Sequence, residues 1–302
     1  MNSRYTCRRG LINGFIGVLI FSGSMPATKV ALQGFSPLLI SSARAAIAGL
    51  LSLLLILLLK VRRPQKKEVG SLIIVTIGVV VGFPFLSALA LQHLTAADST
   101  VFLAALPLMT ATFGALRAQE RPSIAFWILS FLGSSVLVGY AASKGLTGNT
   151  FGSAVMLVAV ILCGLGYAEG GRLAKSIGGW QVISWALVLA LPATLPLTLM
   201  LLNGAALPQT YPPWVGLLYV SVLSMLIGFI FWYQGLAQGG IATVGQLQLL
   251  QPFFALALSA AVLNEKITTD ILLLTIALLI IVAAARKFSD KKTKVQYVHK
   301  SE

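Results

Sequence analysis

Long, nearly unbroken apolar runs alternate along the chain with short breaks of polar, glycine and proline residues. The runs carry neither the two-residue alternation of a half-buried strand nor the single apolar stripe of a surface helix, so each reads as a helix that is apolar on every side. The breaks delimit ten predicted spans, at 11–31, 37–59, 69–91, 95–116, 124–142, 151–171, 180–202, 213–234, 241–263 and 270–286. A bilayer core of roughly 30 Å takes about 20 apolar residues to cross, which is what the runs supply.

The pattern is also written twice. Sliding 90–121 onto 235–266, a shift of 145 positions, superposes Pro107 on Pro252, Glu120 on Glu265 and Arg121 on Lys266. A shift of 146 aligns Phe21 with Tyr167, Lys29 with Lys175, and Gly82-Phe83 with Gly228-Phe229, one residue having slipped between the registers. Self-similarity of this kind constrains a fold more than local propensity does. Five spans per copy is an odd number, so the second copy enters the membrane from the opposite side. The predicted fold is an all-α integral membrane protein of ten transmembrane helices in two inverted five-helix repeats, an arrangement that recurs in secondary transporters. Its parts are an amino-terminal cytosolic segment at 1–10, a first repeat at 11–145, a second at 146–287 and a basic cytosolic tail at 288–302.

Composition removes the soluble alternative. The 302 residues are 57% hydrophobic and only 10% charged, and 176–264 contains no Asp, Glu, Lys, Arg or His. A formal charge of +14 raises nucleic-acid binding as an option, but the cations sit in loops and the tail rather than on one face with interleaved aromatics. They report topology instead. With the amino terminus inside, Lys29, Lys144 and Lys266 fall outside and Arg44 lies within a span, while every other Lys and Arg is cytosolic. Both termini are therefore expected in the cytosol, with the protein multi-pass in the bacterial inner membrane and the tail resting on anionic lipid. Arg8-Arg9 before an apolar run has the outline of a signal peptide; cleavage would remove a helix of the first repeat, so an uncleaved span is expected. Cys7 and Cys163 lie in different contexts and make no disulfide framework.

Several groups of residues together resemble the EamA family of the drug/metabolite transporter superfamily, over essentially all ten spans. They are 21–29 (FSGSMPATK, where the family has an aromatic, small residues and a Lys eight positions on), Arg44 with Ala45 and Ala48, Pro107 with Glu120-Arg121, and Pro252 with Glu265-Lys266. Phe21 stands where the family usually has Trp, and Gln119-Glu120 where Gly-Glu is common. The resemblance implies an exporter of amino acids or other small metabolites, and within the family the chain is similar to YddG-type exporters of aromatic amino acids.

An ionisable group inside a span needs a partner or a task. Arg44 lies roughly 10 Å below the outer surface at 1.5 Å per residue. It reads either as a structural cation that snorkels or pairs with Asp98, or as an anchor for a substrate carboxylate. Thr95 and Asp98 have the spacing of a capping box, with proton coupling the functional alternative for Asp98. Glu169 and Arg172 form a same-face pair, and Glu169 is a second coupling candidate. Lys29 and His93 are expected to be solvated at the outer face. Pro107 and Pro252 fall near mid-membrane and are expected to kink or hinge their helices. Gln246, Gln248 and Gln251 suggest a polar lining beside Pro252. Phe21, Ser22, Ser24, Phe83, Cys163 and Tyr167 share that depth and complete an apolar pocket with a few oriented polar groups. Trp232 and Tyr233 read as interfacial belt residues or an inner gate.

No P-loop, HExxH, EF-hand loop or serine elbow occurs, so the chain is expected to be no enzyme, with no catalytic residues, cofactor or metal. The expected function is export of small metabolites, aromatic and apolar amino acids first, by alternating access, with a small-molecule substrate, the lipid bilayer and no nucleic acid as partners, as a monomer or homodimer. Proton coupling and facilitated diffusion both fit. A quaternary-cation exporter would want an acidic pocket, and a lipid enzyme or scaffold would leave the repeated prolines without a role.

Overall fold

The protein's structure, a computed structural model, describes residues 3–103, 105–118, 150–203, 207–264 and 266–270, with parts of 124–136 and 272–284. The pair Glu120-Arg121, Glu265, Lys144 and the tail lie outside those residues. Every regular element among the described residues is helical. Among the described residues, six helices are long and apolar enough to cross a membrane: Arg8–Ala31, Pro37–Leu58, Lys66–Ala90, Thr150–Ile177, Gly179–Asn203 and Tyr211–Gly239. Their outward positions carry exposed Leu54, Leu57, Leu58, Leu199, Met200 and Val215, side chains that water would not tolerate in such density but hydrocarbon accepts.

Helix ends follow ordinary chemistry. Helix α1 (Ser3–Ser22) and helix α2 (Ser24–Ala31) share the first span, and α3 (Pro37–Leu58) starts at Ser36, whose hydroxyl accepts from Leu39 N at 3.3 Å. Helix α4 (Lys66–Val75) opens with a capping box in which Gln65 N donates to Glu68 Oε2 at 2.7 Å. Helix α6 (Ala96–Leu103) is capped by the predicted pair, Asp98 N donating to Thr95 Oγ1 at 2.9 Å and that hydroxyl, rather than the Thr95 backbone N–H of a full capping box, donating to Asp98 Oδ2 at 2.8 Å. Gly178 and Gly240 take φ of +90° and +89° at helix ends, a conformation that glycine adopts without a Cβ clash.

The interruptions of the helices fall at matched positions. Between α4 and α5 (Phe83–Ala90) the chain makes wide π-helical turns over Thr76–Gly82, and between α10 (Tyr211–Leu218) and α11 (Phe229–Gly239) it does so again over Tyr219–Gly228. The two segments end at Gly82 and Gly228, positions 146 apart. Likewise α7 (Leu106–Ala118) restarts after a turn in which Ala105 N donates to Phe102 O at 3.0 Å. Helix α12 (Ile241–Gly245) leads through a 3₁₀ segment, Gln246–Leu250, into α13 (Gln251–Leu263). Pro107 and Pro252 are thus not mid-helix kinks, as the sequence led one to expect, but second residues of restarted half-helices. The reason is the missing proline N–H: Gln251 N bonds the Gln248 carbonyl instead, tightening the ladder to three residues.

The first span departs from expectation as well, breaking at Gly23 between α1 and α2. The Tyr219 hydroxyl occupies the place a Cβ of residue 23 would take and donates to Ile20 O at 2.8 Å. Helix α1 packs antiparallel on α11 with Gly10 against Gly239, and Gly78 packs against the Leu162 carbonyl and Gly166 of α8 (Thr150–Ile177). Backbones approach there because neither side carries a Cβ. Helix α3 lies along α9 (Gly179–Asn203).

Candidate functional site

The π-helical turns, the Gly23 break and the restart of α13 all face one narrow cleft between the helices, with about 20 Å³ of free volume. Its apolar side is a ring of aromatics. Phe21 and Tyr167 stack with centroids 6.3 Å apart, Phe229 lies 4.7 Å from Phe21 and 5.7 Å from Tyr167, and Phe83 completes the wall. Trp232 packs against two of these rings, 5.4 Å from Tyr167 and 6.1 Å from Phe21.

The polar side is made by Arg44, Ser24, Ser224 and Gln251. Arg44 on α3 is 4% exposed, and its Nη2 donates to Ser224 Oγ at 3.4 Å. The hydroxyls of Ser224 and Ser24 hydrogen-bond at 2.8 Å. Arg44 Nε and Gln251 Oε1 have no hydrogen-bond partner among the described residues. The sequence reading of Arg44 as a snorkelling cation, or as the partner of Asp98, is therefore corrected: the guanidinium is buried at the cleft, and Asp98 caps α6. A desolvated cation without a counter-charge is destabilising by several kcal/mol.

Of the residues singled out from sequence, the structure brings Phe21, Ser24, Phe83, Tyr167, Arg44 and Gln251 together at this cleft. It does not bring Ser22, whose hydroxyl is spent on Val18 O at 2.8 Å in its own helix. Gln248 is fully buried elsewhere, both amide atoms lacking partners among the described residues, and the side chain of Gln246 lies outside those residues. Phe229 and Ser224 were not singled out for the site. Phe229 was legible as the repeat partner of Phe83, whereas Ser224 matches Gly78 and carried no signal.

Two further expectations change. Trp232 and Tyr233 are completely buried rather than interfacial, and the Tyr233 hydroxyl donates to Gly166 O at 3.1 Å. Lys29 is not simply solvated, since its ammonium donates to Leu91 O at 2.6 Å and Leu94 O at 3.0 Å, satisfying carbonyls that a helix end leaves open. His93 is exposed, edge-on to Phe151 at 5.3 Å.

Two residues beyond Tyr167 along α8, Glu169 is wholly buried and clamped. Arg117 Nε donates to Oε2 at 2.9 Å and Arg172 Nη2 to Oε1 at 2.5 Å, while Arg172 also reaches Ser71 Oγ at 2.9 Å. The cluster ties α4, α7 and α8 together, and Glu169 is engaged as a structural acceptor. No cluster of three or more metal-ligating side chains occurs among the described residues.

Comparison with known proteins adds two kinds of finding. Residues 8–139 and 150–285 each match the EamA-like transporter family. An uncharacterized transporter of Bacillus subtilis strain 168, YdeK, is 53% identical over 280 residues, covering 93% of this chain and 98% of its own. A probable terminal-alkyne amino-acid exporter of Streptantibioticus cattleyicolor is 23% identical over 252 residues, 82% of this chain and 83% of its own. A crystal structure with a TM-score of 0.64 and 18% identity, covering 91% of this chain and 94% of its own, shares the fold.

Proposed function

This chain belongs to the EamA-like transporter family and is a membrane transporter, not an enzyme; from that premise we propose that it exports small metabolites by alternating access, two inverted five-helix repeats rocking about the central cleft. The observation that carries the reading is the coincidence of matched helix interruptions with matched cleft walls. The π-helical turns end at Gly82 and Gly228, the half-helices restart at Leu106 and Gln251, and the aromatic wall pairs Phe21 with Tyr167 and Phe83 with Phe229. Interrupted helices at a repeat interface give backbone groups and hinges to a substrate site. In this reading ten spans cross the inner membrane, both termini are cytosolic because the cations concentrate on that side, and Pro107 and Pro252 fix the hinges.

Amino acids with aromatic or apolar side chains are the first substrates to assay, because an amino-acid exporter stands among the distant relatives and the cleft is walled by aromatics. No acid lines the cleft among the described residues, which favours this over export of quaternary cations. Asp98 caps α6 and Glu169 is doubly paired, so the proposed mode is facilitated export down the cytosolic gradient. Counterflow of labelled amino acids into proteoliposomes tests the proposal. Saturable uptake absent from empty liposomes is the expected result, and no flux of any member by folded, inserted protein would refute it.

A further inference from the structure

The two repeats match in the aromatic wall of the cleft but not in its polar side. Under the register that pairs Phe21 with Tyr167, Arg44 matches Ala190, Ser24 matches Gly170 and Ser224 matches Gly78, and under the register of the prolines Gln251 matches Leu106. Each polar liner therefore faces a counterpart with no polar side chain. The site is polarised, with hydrocarbon contributed by both repeats and a single set of polar groups gathered on one side. Within that set Arg44 is the sole charge lining the cleft among the described residues. Both Arg44 and Gln251 are 4% exposed, with Nε of the first and Oε1 of the second lacking partners among the described residues.

Resting on the transport reading above, we propose that this cleft recognises its cargo through the carboxylate alone, Arg44 taking the carboxylate and the Phe21–Tyr167–Phe229 wall taking an aromatic or bulky apolar body. The cargo class then extends beyond amino acids to carboxylic acids that carry no amino group. A guanidinium offers a carboxylate two parallel donors, and Arg44 has Nε still to give. The charge balance decides the rest. A monocarboxylate brings the buried site from +1 to neutral, whereas a zwitterion adds an ammonium that finds only neutral acceptors there, Gln251 Oε1 foremost. In a low-dielectric site the uncompensated charge is disfavoured, so the amino group is tolerated through Gln251 but not required. Amines without a carboxylate are rejected, because they place a second cation beside Arg44.

The test is a matched panel on the purified protein in nanodiscs, read by ligand-dependent thermal shift and by counterflow in proteoliposomes: phenylalanine, 3-phenylpropionate, phenylalaninamide and phenethylamine. The expected result is that 3-phenylpropionate binds at least as tightly as phenylalanine, with the amide and the amine at least tenfold weaker. Arg44→Ala, the residue the other repeat already has at the matching position, should weaken both acids at least tenfold, and Arg44→Lys should restore part of the loss. Gln251→Leu, again the counterpart residue, should weaken phenylalanine at least threefold more than 3-phenylpropionate. If Arg44→Ala fails to fold, Arg44→Lys and Gln251→Leu still decide the matter. Binding of phenylalanine without 3-phenylpropionate, or of the amide as tightly as phenylalanine, overturns the inference while leaving amino-acid export standing. Saturable binding of both acids that is indifferent to Arg44→Lys, Arg44→Ala and Gln251→Leu shows that this cleft is not the site and overturns both.

Discussion

Removing Glu169 should damage the protein less than removing the two arginines that hold it. The acid side chain is 0% exposed, whereas the side chains of Arg117 and Arg172 are each 43% exposed. Glu169→Gln keeps the volume and one acceptor, and the released guanidiniums already reach solvent. One charge-assisted hydrogen bond is lost and the other weakened, such bonds being worth roughly 1.5–3 kcal/mol each when buried. Discounting for the half-exposed donors brings the sum to about 1–2 kcal/mol. The double variant Arg117→Gln with Arg172→Gln strands a carboxylate in a buried place, and an uncompensated buried charge is destabilising by about 3–5 kcal/mol. Either single arginine variant should fall between wild type and the double, since one partner remains. The assay is thermal unfolding of purified protein in one detergent, followed by tryptophan emission, and the order of midpoints is what matters. A midpoint for Glu169→Gln at or below that of the double arginine variant would show that the acid holds the helices by something other than this pairing.

The remaining expectations concern separate parts of the molecule. Gly78→Val drives a side chain into the Leu162 carbonyl and should destabilise by about 1–3 kcal/mol, whereas Gly70→Ala, with open space at its Cβ, should be neutral or stabilising by up to about 1 kcal/mol; melting midpoints in detergent compare the two. Asp98→Asn keeps both bonds to Thr95 possible and should lower stability by only about 0.3–1 kcal/mol through the lost charge at the helix N-terminus, leaving initial transport rates unchanged with and without an imposed pH gradient; a rate that follows the gradient and is abolished by Asp98→Asn would restore proton coupling. Pro252→Ala lets the helix ladder close across the restart of α13, so counterflow should fall severalfold while the melting midpoint holds or rises; unchanged counterflow would remove the hinge role. A reporter fused after Lys300 should score cytosolic, and a periplasmic signal would reverse the orientation drawn from the charges.

Much of this architecture is legible in one dimension because the bilayer simplifies the reading. A span must be apolar on all sides and about 20 residues long, so the six long helices, the polar breaks between them and the matched prolines could be found by counting. The aromatic wall was legible for the same reason. Phe21 and Tyr167 are repeat partners, and depth along a helix follows from residue number at about 1.5 Å each. What counting could not supply was rotation about the helix axis. Ser22 and Ser24 sit at nearly the same depth, yet Ser22 bonds its own helix and Ser24 reaches Ser224 of another. Gln248 and Gln251 are three residues apart, and only Gln251 lines the cleft.

Composition and spacing along the chain were enough to establish that it lives in a membrane, where its long apolar runs lie, and that the pattern of one half recurs in the other. The tertiary structure decided what each buried polar group does. Arg44 faces a cleft instead of Asp98, Lys29 closes the carbonyls of Leu91 and Leu94, Tyr233 bonds a backbone oxygen of α8, and Glu169 is held by arginines from two helices. Those outcomes turn on which helices are neighbours and how each is rotated. Both are fixed by packing between segments tens to hundreds of residues apart, where backbone approach at Gly78 or Gly10 and a hydroxyl seated at Gly23 choose among arrangements that hydropathy leaves equal.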